Sequence, residues 1–144
     1  MDYELAYRYG APSRLDEGAG LALATSGGST PEGEAAHPYF FSGFMERPDV
    51  VAAGLLAVAR VARTRFYVPP GMVVAPGGGL TRIGMLDPVV TSTAEGLRFE
   101  SFSVCCGVYA RLDVEASALD ATHCVVGVTK VDVNQPLRAA LASL

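Results

Sequence analysis

Residues 104–114 (VCCGVYARLDV) constrain the fold more than any other stretch, because apolar and polar side chains alternate along them. A side-chain period of two is typical of a β-strand with one buried face. The pattern predicts a strand through the whole stretch, with Cys106 buried and Cys105 on the outer face. The predicted buried face consists of Val104, Cys106, Val108, Ala110, Leu112 and Val114.

The clearest helix signal lies at residues 48–62. Pro48 suits the first helical position, Asp49 favours the N-terminal end of the helix dipole, and Arg63 favours the C-terminal end. The side chains between them leave no polar stripe, which predicts a helix buried on most sides. Gly54 in its middle costs about 1 kcal/mol relative to alanine, so we expect close packing against a sheet at that position.

The remaining elements follow from apolar runs and turn residues. Predicted strands cover residues 3–9, 21–25, 65–68, 89–92, 97–104 and 124–133, the last with a bulge at Gly127. Residues 93–96 are predicted to be a hairpin turn, and residues 26–34 and 71–85 to be loops. The predicted fold class is α+β, a mostly antiparallel sheet of about five strands with the helix at residues 48–62 packed on it and a short C-terminal helix.

The C-terminal helix is predicted to begin at Pro136 and carries Leu137, Leu141 and Leu144 on one face. An apolar stripe of this kind needs a neighbour. The mean hydropathy of the chain is +0.30, high for its size. We therefore expect the chain to associate, with itself or with a partner, through this helix or a sheet edge. The alternative is that the helix folds back on its own sheet and the protein is a monomer.

Composition bounds the class of protein. The 144 residues are 50% hydrophobic and 18% charged, which fits one domain with a real core and argues against disorder. A net charge of -4 argues against a nucleic-acid surface. The longest apolar run, residues 50–59, is too short for the ~20 residues that cross a bilayer. The odd cysteine count and the absence of a signal-peptide core predict a soluble cytoplasmic protein.

No motif for catalysis or metal binding stands out. The possible metal ligands are Cys105, Cys106, Cys124, His37 and His123. They lack the paired spacing by which one turn presents two ligands to zinc, so we predict structural thiols, no metal and no cofactor. The candidate catalytic pair is Cys105 as nucleophile with His123 from a neighbouring strand as base.

Two other patterns have a structural and a functional interpretation. The glycine-rich residues 26–33 and 77–79 lack the lysine and the spacing of a phosphate-binding loop, which favours plain loops. The predicted outer sheet face carries Glu100, Tyr109, Arg111 and Asp113. Such residues usually form a solvated face with cross-strand ion pairs, and the alternative is a small polar pocket.

Five blocks carry a resemblance to a known family: residues 24–31 (ATSGGSTP), 40–44 (FFSGF), 87–91 (DPVVT), 99–114 (FESFSVCCGVYARLDV) and 131–141 (VDVNQPLRAAL). In this order they resemble the N-terminal region of bacterial, actinobacterial-type SWIM zinc finger proteins. The C-x-C…C-x-H motif that names the family is not matched by Cys105-Cys106 or by His123-Cys124, so no zinc ligand is implied here. The resemblance implies that residues 1–144 are one domain, the N-terminal module of a longer protein.

These observations predict a non-catalytic interaction or assembly module. The resemblance implies a protein partner, with a MoxR-type ATPase or a von Willebrand A-type protein as candidates, because genes for both lie beside those of the family. The alternative is a small enzyme or ligand-binding domain that uses the sheet face carrying Cys105 and His123.

Overall fold

The structure, a computed structural model, describes residues 9–64 and 87–144. The strands in this part of the chain are β1 (Arg14–Asp16), β2 (Gly20–Ala22), β3 (Thr25–Thr30), β4 (Gly33–Ala35), β5 (Phe41–Met45), β6 (Val89–Thr93), β7 (Gly96–Phe102), β8 (Tyr109–Glu115), β9 (Leu119–Cys124) and β10 (Gly127–Val131). The α-helices are α1 (Pro48–Arg63) and α2 (Gln135–Ala142), and a 3₁₀ turn spans Ala116–Ala118.

Six strands form one antiparallel sheet in the order β4-β3-β10-β6-β7-β8. Helix α1 packs on β7 and β8, and α2 packs on α1 and β1. The most buried large side chains of the core are Leu55, Phe99, Val131, Val133 and Leu137. The pairs β1–β2 and β5–β9 form two small antiparallel ribbons beside the main sheet. The predicted α+β class with its antiparallel sheet and two helices is confirmed.

The β6–β7 hairpin lies where the turn residues predict it. Gly96 follows the two-residue turn with a φ of 137°, and a Cβ at this position would collide with the carbonyl oxygen of Val114. Only glycine fits both constraints. The hairpin register pairs Thr93 with Gly96 and Val90 with Phe99, which places Phe99 in the core.

The stretch 104–114 is a strand only in its second half. β8 begins at Tyr109, and within it Ala110, Leu112 and Val114 contribute to the core as the alternation predicts. Residues 103–108 form the turn between β7 and β8. The predicted single strand through residues 104–114 is therefore wrong in its first half.

The same turn overturns the predicted burial of Cys106. Cys106 is exposed and has a φ of 59°, while Cys105 is half-buried. Ser103 holds the turn together, because its N–H donates to the carbonyl of Val108 at 2.8 Å and its hydroxyl accepts from the N–H of Val108 at 3.0 Å. A polar side chain that bonds the backbone in this way competes with continuation of a strand.

Helix α1 confirms the helix predicted at residues 48–62 and extends one residue further. Its buried residues are Val51, Ala52, Leu55, Val58, Ala59 and Ala62. Val50 is 50% exposed, and with Ala53, Ala57 and Arg60 it forms one exposed stripe. The other residues between 50 and 62 are buried or half-buried, in agreement with the expected burial on most sides. The expected close approach at Gly54 is present, since a Cβ there would lie 2.9 Å from Cδ1 of Leu112.

Residues 26–34 are a hairpin and not the predicted loop. β3 pairs with β10 on one side and with β4 on the other. A Cβ at Gly28 would lie 2.9 Å from Cγ of Pro38 and 2.9 Å from Cβ of Thr129. Gly28 therefore reflects crowding between packed segments, whereas Gly33 has a φ of 128° with open space around it and reflects backbone freedom.

Residues 124–133 are not one bulged strand. The chain ends β9 at Cys124, crosses through Val125 and Val126, and begins β10 in a different sheet at Gly127. A Cβ at Gly127 would collide with the ring of Phe40, which is 6% exposed. Glycine marks the crossing because an aromatic ring covers the backbone there.

Helix α2 folds back on its own core. Leu137 is 1% and Leu141 is 4% exposed, whereas Leu144 is 66% exposed. The helix is capped at its start, because the side-chain oxygen of Asn134 accepts from the N–H of Leu137 at 2.9 Å. The expectation that this leucine stripe needs a neighbour outside the chain is therefore wrong for its first two members.

The strand predicted at residues 65–68, the loop at 71–85 and all but the last residue of the strand at 3–9 lie outside the described residues. Within residues 9–64 and 87–144, no helix combines the length and the apolar character needed to span a membrane.

Candidate functional site

The candidate catalytic pair is not assembled. Cys105 lies in the turn beyond the end of β7, whereas His123 lies in β9 of the small ribbon. Cys124, the residue after His123, places its Sγ 3.7 Å from Oγ of Ser92. Ser92 in turn pairs with Leu97, near the start of β7. From Leu97 to the end of β7 at Phe102 is about 17 Å of strand, so Cys105 and His123 lie at opposite ends of the hairpin.

His123 has its own partners on the outer side of the ribbon. Its ring stacks on that of Tyr39, with centroids 5.0 Å apart, and its Nε2 lies 3.1 Å from the carbonyl oxygen of Tyr39. The imidazole is thus held by a neighbouring aromatic residue and not by a nucleophile. His37, the other histidine, places Nδ1 2.9 Å from the carbonyl oxygen of Thr25.

The outer face of β7 and β8 carries a cross-strand ion pair of the kind that the sequence predicts, Arg98–Asp113, and a second pair within β8, Arg111–Asp113. Asp113 accepts from Nε of Arg98 at 2.8 Å and from Nε of Arg111 at 2.5 Å, and the hydroxyl of Tyr109 donates to Glu100. The pKa of Asp113 is lowered by its hydrogen bond with Arg111 and then by that with Arg98. The hydrogen bond with Glu100 raises the pKa of Tyr109.

The outer face of β7 and β8 is exposed to solvent. Its side chains are exposed or half-buried, and each charge is matched by a neighbour of opposite sign. Exposed pairs of this kind contribute little to stability, about 0–1 kcal/mol. The Arg98–Asp113 pair and the Tyr109–Glu100 hydrogen bond join β7 to β8 in the register of the hairpin.

An apolar groove lies at the other end of the hairpin, and the sequence does not predict it. It runs between the β3–β4 turn, the β6–β7 turn and the inner face of β9. Its apolar lining includes Pro31, Ala94, Leu119, Ala121, Val125 and Val126. Each element contributes only one or two of these apolar side chains, so no local pattern marks the groove. The single sequence signal is the valine doublet at residues 125–126, which continues an apolar run without taking part in a strand.

Cys124 lines this groove with its thiol engaged by the protein. The Sγ donates to the carbonyl oxygen of Thr93 at 3.6 Å and lies 3.7 Å from Oγ of Ser92, whose side chain is fully buried. No imidazole reaches it among the described residues, because His123 faces the opposite side of β9. The thiol lacks the base that a nucleophilic cysteine needs.

The described residues do not gather metal ligands. No group of three or more His, Cys, Asp or Glu side chains in residues 9–64 and 87–144 comes close enough to hold an ion. Residues 26–33, weighed as a phosphate-binding loop, lie in the β3–β4 hairpin, and residues 77–79 lie outside the described part.

Comparison with protein-family models, with curated proteins and with solved structures found no match to this chain.

Proposed function

We propose that the protein is a non-catalytic interaction module that binds a partner protein along the apolar groove. The observation that supports this proposal is a pair of exposed valines that line the groove. Val125 is 42% and Val126 is 49% exposed. Clustered exposed apolar side chains beside an apolar groove are typical of a protein interaction surface.

The chemistry of the groove favours a protein over a reacting small molecule. Glu32 is the one charged residue that lines it in the described chain, and the thiol of Cys124 is already bonded to the Thr93 carbonyl. Small-molecule sites usually present several converging polar groups that fix orientation. The complementary surface is an apolar segment of a partner protein, and the resemblance to the SWIM zinc finger family supports a MoxR-type ATPase or a von Willebrand A-type protein.

Replacing Val126 by aspartate tests the proposal. Titration calorimetry with the MoxR-type ATPase and with the von Willebrand A-type protein of the same organism should show binding by the unmodified chain. We expect at least about tenfold weaker binding by Val126→Asp, because a charge on a side chain that lines the groove would have to be desolvated on binding.

Val50→Asp is the matched control. Val50 is 50% exposed, against 49% for Val126, and it lies at the start of α1 and does not line the groove. The proposal fails if both variants bind like the unmodified chain, or if neither candidate protein binds. Light scattering tests whether a second copy of the chain occupies the groove. A homodimer that Val126→Asp dissociates would place a second copy there and would overturn the proposal of a separate partner protein.

A further inference from the structure

Strand β8 forms one edge of the six-stranded sheet, and no described strand pairs with its outer side. It is seven residues long, pairs with β7 without a bulge and contains neither proline nor lysine. The other edge of the sheet, β4, has only three residues. Natural proteins usually protect a long exposed edge with proline, lysine or a bulge, because an unprotected edge can pair with another chain. β8 is therefore suited to pair with a further strand.

Hydrogen bonds beyond the two ends of β8 show which of its backbone groups face the open edge. The N–H of Ala116 donates to the carbonyl of Glu95 at 2.8 Å, and the carbonyl of Val108 accepts from the N–H of Ser103 at 2.8 Å. Residues alternate in direction along an antiparallel strand, so the even-numbered residues of β8 direct their N–H and C=O groups toward β7. The odd-numbered residues, which carry the charged side chains of β8, direct theirs toward the open edge.

Two copies of this edge are complementary in charge. In an antiparallel pair of β8 strands with a two-fold axis at Leu112, Arg111 of each copy lies opposite Asp113 of the other. These four side chains form a square in which every direct neighbour has the opposite charge. Glu115 of each copy lies opposite the uncharged Tyr109 of the other. Opposite charges placed across two strands stabilise a sheet, whereas like charges destabilise it.

The charges of β7 continue the same alternation. Within one copy, Arg98 lies opposite Asp113 and Glu100 lies opposite Arg111. A row across the paired sheets thus reads Arg98 and Asp113 of one copy, then Arg111 and Glu100 of the second copy. A shift of the register by two residues would place Arg111 or Asp113 opposite its own equivalent, and a shift by one would exchange the polar and apolar faces. The pattern therefore favours one register.

Helix α1 leaves room for this pairing. It lies above both strands, because Gly54 lies against Leu112 of β8 and the carbonyl of Val58 accepts from the hydroxyl of Ser101 of β7 at 2.6 Å. Neighbouring strands are about 4.8 Å apart, so two α1 helices related by the two-fold axis would lie about 10 Å apart. This separation falls within the range of about 8–10 Å at which helices pack.

The side of α1 that would face its copy is apolar. Ala57 and Val61 follow Gly54 by three and seven residues, so they share the side of the helix that lies over β8. Ala57 is exposed and Val61 is half-buried. The other side of the helix carries Arg63, which contacts the carbonyl oxygen of Val133. Contact between the two helices would therefore bury apolar side chains.

We propose that two copies of the chain pair through β8 and join their sheets into one continuous antiparallel sheet. The occupant of the edge is a second copy because the charges of β8 complement themselves in one register. This dimer goes beyond the proposed function, since the residues of β8 do not line the apolar groove. Each copy keeps its own groove for a partner protein.

Two charge-reversed variants test the register. Arg111→Asp places two aspartates opposite each other in a homodimer, and Asp113→Arg places two arginines opposite each other. We expect each variant alone to self-associate at least about tenfold more weakly than the unmodified chain in analytical ultracentrifugation. An equimolar mixture of the two variants should associate as tightly as the unmodified chain, because every opposed pair is then of opposite charge. Should one variant fold poorly by circular dichroism, the other still tests the register through its own loss of association.

Arg14→Asp is the matched control. Arg14 forms an ion pair with Asp16 two residues later in β1, as Arg111 does with Asp113 in β8, and the change in net charge is the same. We expect it to leave the dimer unchanged. A monomeric unmodified chain at high micromolar concentration, a mixture no tighter than its components, or equal weakening by Arg14→Asp would overturn pairing through β8. A dimer that Val126→Asp dissociates would also overturn it, because that contact belongs to the groove.

Discussion

Cys106 occupies a backbone conformation that disfavours its own side chain. Its φ of 59° lies in the left-handed region, where a Cβ costs about 1–2 kcal/mol and glycine costs nothing. Its thiol is exposed, so no burial compensates for this conformation. The strain is confined to the turn between β7 and β8, which is held by hydrogen bonds between Ser103 and Val108.

Replacing Cys106 by glycine should therefore stabilise the protein. We expect a gain of about 0.5–1 kcal/mol, since relief of the left-handed strain exceeds the entropy that glycine adds to the unfolded chain. Chemical denaturation measures this change, and Cys106→Ala is the control because alanine keeps the Cβ. A lower unfolding midpoint for Cys106→Gly than for Cys106→Ala would contradict the conformation assigned to this residue.

At the scale of elements, the contact between α1 and β8 depends on one missing side chain. Gly54 lets the helix approach until Leu112 fills the space where a Cβ would stand, 2.9 Å from Cδ1. An alanine at position 54 would favour the helix by about 1 kcal/mol through intrinsic propensity. Overpacking of a well-filled contact costs about 1–3 kcal/mol, so the steric effect should win while Leu112 is present.

A double-mutant cycle isolates this contact. We expect Gly54→Ala to destabilise the unmodified chain and to stabilise a chain that already carries Leu112→Ala, because the smaller side chain leaves room for the new methyl group. The coupling between the two changes should be at least about 0.5 kcal/mol in the free energy of unfolding. Additive effects within the error of the denaturation curves would show that Leu112 does not limit how closely α1 packs.

The elements that the sequence predicts correctly are those whose signals are local. Helix α1, the β6–β7 hairpin and the alternation within β8 each depend on residues that are neighbours in the chain. The errors arise where distant residues decide. Residues 25–30 are a strand because β10, about a hundred residues later, pairs with them. The turn at residues 103–108 is a different case, since it is set by hydrogen bonds between Ser103 and Val108 that an alternation of apolar and polar residues does not register.

The candidate site follows the same physical rule. The groove is built from two turns and one strand face that are far apart in the sequence, and only the fold brings them together. The groove residues have no spacing in the sequence that could mark them before folding. The polar outer face of β7 and β8 is predictable, because its contacts depend only on how these two neighbouring strands pair.

At the scale of the whole molecule, the core closes without a second copy. Leu137 and Leu141 of α2 belong to the same buried cluster as Leu55 of α1 and Phe99 of β7. The C-terminal helix thus contributes to the same core as α1 and β7, and Leu137 and Leu141 are used within the chain. Self-association through this stripe would require α2 to leave the core.

Replacing Leu141 by alanine distinguishes a core residue from an interface residue. Truncation of a leucine that is 4% exposed should lower the free energy of unfolding by about 2–5 kcal/mol through lost burial and a residual cavity. Because this cost arises within one chain, the melting temperature of Leu141→Ala should fall by the same amount at every protein concentration. Leu144→Ala is the control, since Leu144 follows the end of α2 and is 66% exposed. The opposite outcome is a melting temperature that rises with protein concentration in the unmodified chain and does not do so in Leu141→Ala. This outcome would place Leu141 in an interface, because stability depends on protein concentration only when association is part of folding.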